Sequence, residues 1–216
     1  MIAGAARLPV LLVMALLLGP ARGLAESITF AGAEIGQTPK GFEPALTGKG
    51  SPGRWEVVAN ATADGGKALA QVSTDPTVYR FPLLIHMQTV PADLEATIRF
   101  KAVSGKVDQA AGLAVRLIDR NNYYVVRANA LENNVRLYRM VGGKREQFAG
   151  TDVKVTAGEW HTLALRARRH QFTVSFNGKE LFSAENDRFG SPGKVALWTK
   201  ADSVTLFENL TISPLQ

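Results

Sequence analysis

The chain has 216 residues, with 25 Lys or Arg against 19 Asp or Glu, a formal charge of +6 and no cysteine. Without thiols there is neither a disulfide framework nor a thiolate metal centre. The basic residues are spread over several segments and match no nucleic-acid reader motif, so nucleic acid is not an expected partner.

The chain opens MIAGAARLPVLLVMALLLGPARGLA, where Arg7 precedes an apolar run from Leu8 to Leu18 and small residues stand at Gly23 and Ala25. This is the pattern of a secretory leader cleaved after Ala25. The apolar run is shorter than the roughly 20 residues that a membrane span needs. Residues 1–25 are therefore read as a cleaved signal peptide and residues 26–216 as one domain, extracytoplasmic, with no membrane span in the mature chain. Loss of Arg7 and Arg22 lowers the formal charge from +6 to +4. Within it, Arg99 to Glu146 holds ten Lys or Arg against Asp108, Asp119, Glu132 and Glu146. That local surplus suits an anionic partner, although solvated strand faces also carry such charge.

Beyond the leader, residues 27–53 are rich in Gly and Pro and predict a wrapping edge strand with long loops. Period-two alternation then recurs in ALAQVS (68–73), DLEATIRFKAV (93–103), GLAVRLI (112–118), YYVVRANA (123–130), NVRLYRM (134–140), WHTLALRA (160–167), QFTVSFN (171–177), KVALWTK (194–200) and SVTLFENLTI (203–212). Turn residues separate these segments, and Asn177-Gly178 is a strong signal for a two-residue hairpin of type I′. So many short strands in one domain predict an all-β, two-sheet antiparallel sandwich.

Parity assigns the core to Leu113, Val115 and Leu117, to Tyr124, Val126 and Ala128, to Val135 and Leu137, and to Leu163 and Leu165. Phe172, Val174, Phe176, Val195, Leu197, Val204, Leu206, Leu210 and Ile212 complete it. The opposite face collects Arg116, Tyr123, Arg127, Asn129, Asn134, Arg136, Tyr138, Trp198 and Lys200. Planar amides and guanidinium forks suit sugar hydroxyls, and aromatic plates suit the C–H faces of sugar rings. These nine residues are the candidate ligand-binding set. The competing account is a solvated sheet whose arginines pair with Asp119 or Glu132.

Several stretches together resemble one family: FEPALTGKGSPGRWEV (42–57), YRFPLLI (79–85), the run from Ser104 to Met140, GEWHTLALRARRHQFTVSFNGKELF (158–182) and KVALWTKADSVTLFENLTI (194–212). They are similar to the concanavalin A-like lectin and glucanase superfamily, nearest to exported bacterial domains of the 3-keto-disaccharide hydrolase-like and laminin G-like groups. The resemblance implies a single-domain jelly roll with a glycan on a concave sheet face, and the basic surplus makes an anionic glycan one of the candidates. The polar and aromatic face puts a carbohydrate-binding module first. A glycoside hydrolase or lyase of the named branch and an envelope protein-interaction module are the alternatives. The glucanase signature Glu-x-Asp-x-x-Glu, which would place two carboxylates about 5 Å apart, is absent. The nearest string runs from Glu185 through Asp187 to Gly190, with glycine where the second glutamate belongs.

His86, His161 and His170 have no metal-ligand spacing, and no cofactor is expected beyond one candidate ion. Glu208 shares the parity of core residues in its strand. Calcium-binding relatives of this fold place an acid in the last strand beside the N-terminal segment, which makes Glu208 a candidate ligand for a structural calcium. A β-bulge that turns Glu208 outward, or pairing with an arginine, is the simpler alternative.

Overall fold

A computed structural model describes Met1 and residues 24–215. The leader lies outside the described residues apart from Met1, Leu24 and Ala25. Among the described residues, fifteen strands and one short 3-10 turn at Asp64–Gly66 make up the regular structure. They form two antiparallel sheets, as the alternation predicts.

The first sheet runs in the order β13 (Lys179–Glu185), β12 (Gln171–Phe176), β11 (His161–Arg168), β6 (Leu94–Ser104), β15 (Val204–Pro214), β4 (Lys67–Gln71) and β3 (Trp55–Ala59), with β1 (Glu26–Ile28) also paired to β15. The second runs β10 (Lys144–Asp152), β9 (Asn134–Val141), β8 (Asn122–Asn129), β7 (Ala110–Asp119), β14 (Gly193–Trp198), β5 (Arg80–Val90) and β2 (Phe42–Gly48). The hairpin between β12 and β13 turns at Asn177 and Gly178, both at positive φ (49° and 77°), as a type I′ turn requires.

Between the sheets, Leu113, Val115, Tyr124, Val126, Leu137 and Leu197 meet Ile98, Phe100, Leu163, Leu165, Val174 and Phe207. The predicted core parity holds along most strands and fails in two, β7 and β15. In β7 the register slips after Val115 and Arg116 takes φ 49°, so Val115 and Arg116 both turn inward while Leu117 moves to the outer face. In β15 the register shifts at Val204/Thr205 and again between Glu208 and Thr211, with Asn209 at φ 53°. Phe207, Leu210 and Ile212 therefore face the core, Leu206 joins a satellite cluster with Ala63, Ala68 and Ala70, and half-buried Val204 joins neither group. An extra residue on one strand of a pair causes this exchange of faces.

The second sheet coils strongly about its outer face. Strands β8 and β2 are four steps apart, about 19 Å if the sheet were flat, yet Tyr123 Oη lies 2.9 Å from Thr47 Oγ1. From β10 to β5 is five steps, about 24 Å when flat, yet the Arg145 guanidinium sits 4.9 Å from the centre of the Phe81 ring. Tyr79, just before β5, accepts the backbone N–H of Arg145 at 2.9 Å. Two diagonal corners of the sheet have thus curled together over the outer face and made it a trough.

A candidate glycan-binding trough

The trough has an aromatic part and a polar part. In the aromatic part Trp198 lies over Gly112, its strand partner, where a Cβ would come within 2.9 Å of the indole. Glycine is required here because the ring occupies the space of a side chain. The indole stacks on Phe81 at 5.3 Å and 17°, and its Nε1 donates to Tyr123 Oη at 3.3 Å. Trp198 and Tyr123 are fully buried. Burial raises the Tyr123 phenol to about 12, against its hydrogen bonds to Thr47 and Trp198. These two rings are pillars of the coiled sheet, where the sequence pattern predicts open plates. The corner contacts that enclose them join strands distant in sequence, and alternation carries no sign of them.

The polar part is a connected network. Asp108, fully buried before β7, accepts from Asn129 Nδ2 at 2.7 Å and pairs with the half-buried Lys200. Asn129 Oδ1 accepts the backbone N–H groups of Leu131 and Glu132, which fixes the turn between β8 and β9. Arg127 donates through Nη2 to Glu132 at 2.8 Å and to Asn134 Oδ1 at 2.6 Å, and Asn134 Nδ2 reaches Glu132 at 3.1 Å. Arg136, half-buried at the edge, meets Asp152 at 2.5 Å. Tyr138 is buried, with Arg127 5.7 Å and Arg145 4.5 Å from its ring centre.

Two of the three carboxylates here, Asp108 and Glu132, are pushed apart. Burial raises the Asp108 carboxyl, only partly offset by Lys200. Burial also acts to raise Glu132, but hydrogen bonds from Arg127 and Asn134 outweigh it and bring the carboxyl to about 2. All three acids are committed to cations, so the network offers donors and fixed charge, with Asp152, Glu132, Arg136 and Lys200 as its more accessible members.

Eight of the nine sequence-selected residues gather on this face. Arg116 does not, because the β7 bulge rotates it inward. There it donates to the carbonyls of Ala92 and Phe189 at 2.9 Å, reaches Asp93 at 3.3 Å, and lies over Phe172. It staples the end of the sandwich. Arg145, which sequence reasoning missed, joins the face from β10. Its signal was parity across the Gly142-Gly143 turn, since Arg145 pairs with Met140.

Glu208 faces outward on the first sheet. It pairs with Arg99 and accepts the backbone N–H of Asp64 at 2.8 Å, while Asp64 itself stands 3.3 Å from Arg99. A guanidinium supplies the positive charge here, and Lys101 and Trp160 stand alongside. Calcium takes six to eight oxygen ligands, and this donor set does not fit it. Among the described residues no group of three or more His, Asp or Glu could hold a metal ion.

Solved structures with the same architecture include the carbohydrate-binding module CBM66 from Bacillus subtilis, with a TM-score of 0.63 at 18% identity over 80% of this chain and 95% of that one. The fold is a two-sheet antiparallel jelly roll. The β-glucanase of Bacillus licheniformis shares this jelly roll at TM-score 0.59 and 14% identity, over 90% of this chain and 99% of that chain. Domain 4 of AbnA, a GH43 extracellular arabinanase from Geobacillus stearothermophilus solved in complex with arabinotriose, matches at 0.56 and 16%, over 87% and 90%. No family model and no curated protein matches this sequence. Identities this low establish the fold and leave the activity to the site itself.

Proposed function

We propose that this chain is an exported carbohydrate-binding domain that takes its glycan at the polar part of the trough. One observation carries the reading: guanidinium, amide, carboxylate and ammonium groups converge on one sheet face, held rigid by a fully buried aromatic layer beneath and beside them. Directional donors on a stiff scaffold suit a ring of hydroxyls, because little conformational entropy is lost on binding. Carbohydrate-binding proteins among the structural neighbours support the reading through the fold, and the leader sequence supports export.

A hydrolase of the 3-keto-disaccharide hydrolase-like branch needs a protonated acid that can reach substrate, whereas Asp108 is enclosed and tied to Lys200 and the more exposed Glu132 is held ionised by Arg127 and Asn134. The test is a glycan array followed by calorimetric titration, comparing wild type with an Asn134→Ala, Lys200→Ala double variant. Saturable binding that drops at least tenfold in the variant is expected. A folded wild type that binds no glycan refutes the proposal.

A further inference from the structure

The trough holds four cations, Arg127, Arg136, Arg145 and Lys200, and three carboxylates, Asp108, Asp152 and Glu132. Each carboxylate is matched to one cation: Glu132 to Arg127, Asp152 to Arg136 and Asp108 to Lys200. Arg145 is left over. Its guanidinium packs between the rings of Phe81 and Tyr138, at 4.9 Å and 4.5 Å, with no carboxylate in ion-pair range among the described residues. Its Nη1 is buried without a hydrogen-bond partner, and so is Nε of Arg127. Both guanidiniums lie against the ring of Tyr138.

Two buried donors without acceptors cost free energy unless a ligand engages them. Like charges near one ring compound that cost. Burial depresses the Arg145 pKa, and Arg127 adds to the depression. A single surplus positive charge calls for a monoanion. A planar two-oxygen group can accept from both flanking guanidiniums, a match that favours carboxylate over a dianionic phosphate.

Resting on the glycan reading, we infer that Arg145 and Arg127 form a carboxylate subsite, and that the ligand is an acidic sugar of the uronate class. The sugar body would then meet Arg136, Glu132 and Lys200 at the more open margin, while its carboxylate reaches in beside Tyr138.

The experiment titrates the protein with oligosaccharides of glucuronate and galacturonate, with the matching neutral glucose and galactose oligomers, and with acetate as a bare carboxylate. Uronate oligomers should bind at least tenfold tighter than their neutral partners. Arg145→Gln should erase that preference, and Arg145→Lys, which keeps charge without the fork, should restore part of it. Melting temperatures confirm folding of each variant, and Arg166→Ala on the first sheet should leave uronate binding unchanged. Neutral oligomers bound as tightly as uronates would overturn the carboxylate subsite and leave the glycan reading standing, as would a uronate preference that survives in folded Arg145→Gln. Acetate binding as tightly as the uronate oligomers would reduce the site to a general anion hole and overturn its assignment to sugars. Absence of binding to any oligomer would overturn both.

Discussion

Replacing Trp198 by alanine separates a filled trough from an open aromatic plate. The indole is fully buried, stacks on Phe81, covers Gly112 and donates to Tyr123. Truncating a buried aromatic to alanine removes its transfer free energy and leaves a cavity, at a cost of about 3–5 kcal/mol. Against a total stability of about 5–15 kcal/mol, that is a large share. For a domain this size each kcal/mol moves the midpoint by about 2–4 °C, so Trp198→Ala should melt at least about 6 °C lower. Trp198→Phe keeps a ring on Gly112 and loses the Nε1 donor and part of the indole's volume, while Tyr123 retains Thr47. It should cost roughly 1–2 kcal/mol. Calorimetry with urea unfolding followed by circular dichroism measures both. A Trp198→Ala protein within about 0.5 kcal/mol of wild type, the range of ordinary surface substitutions, would refute the enclosed trough.

Gly112→Ala attacks the same contact from below, since its Cβ would meet the indole at 2.9 Å and the Val126 carbonyl at 3.0 Å. It should cost about 1–3 kcal/mol by overpacking, read as a lower urea midpoint. Arg99→Ala strands a carboxylate whose side chain is 2% exposed, and because Arg99 is itself 32% exposed the loss should lie near the low end, about 3 kcal/mol. Chelator should leave the wild-type melting temperature unchanged, and a fall on adding it would restore the calcium reading of Glu208. The Glu132 carboxyl falls from 4.5 to about 2 on folding. Its contribution to stability is therefore fully present above pH 4.5 and lost as pH drops towards 2. Because the side chain is 46% exposed, screening reduces that contribution to about 1 kcal/mol. Glu132→Gln should flatten the acid limb of the stability profile between those values.

Much of the fold is legible in the alternation. Leu113, Val126, Leu137, Leu165 and Val174 stand in the core where period two places them, and Asn177-Gly178 turns as its dipeptide demands. The failures have one physical origin, backbone geometry that shifts parity without altering composition. A single residue at positive φ sends Arg116 inward and Leu117 outward, and another sends Glu208 out to Arg99. Nothing in GLAVRLI distinguishes a bulged strand from a straight one. The candidate site was legible as a set of residues, and its enclosure was not. Coiling that brings Thr47 onto Tyr123 joins segments 76 residues apart, a long-range consequence of twist rather than of local pattern. Arg145 escaped notice because KREQFAGTD barely alternates, and its importance comes from the rings it reaches across the trough.

The strand order gives the C-terminal segment a particular part in assembly. β14 inserts between β7 and β5, and β15 between β6 and β4, so both sheets are keyed through their middles by the two strands that come latest among the described residues. Until those strands arrive, β4, β5, β6 and β7 each lack a partner on one side, and neither layer can complete its ladder. Pairings between such distant segments form slowly. A nascent chain of this design therefore stays unlocked until residues 193–214 have been made.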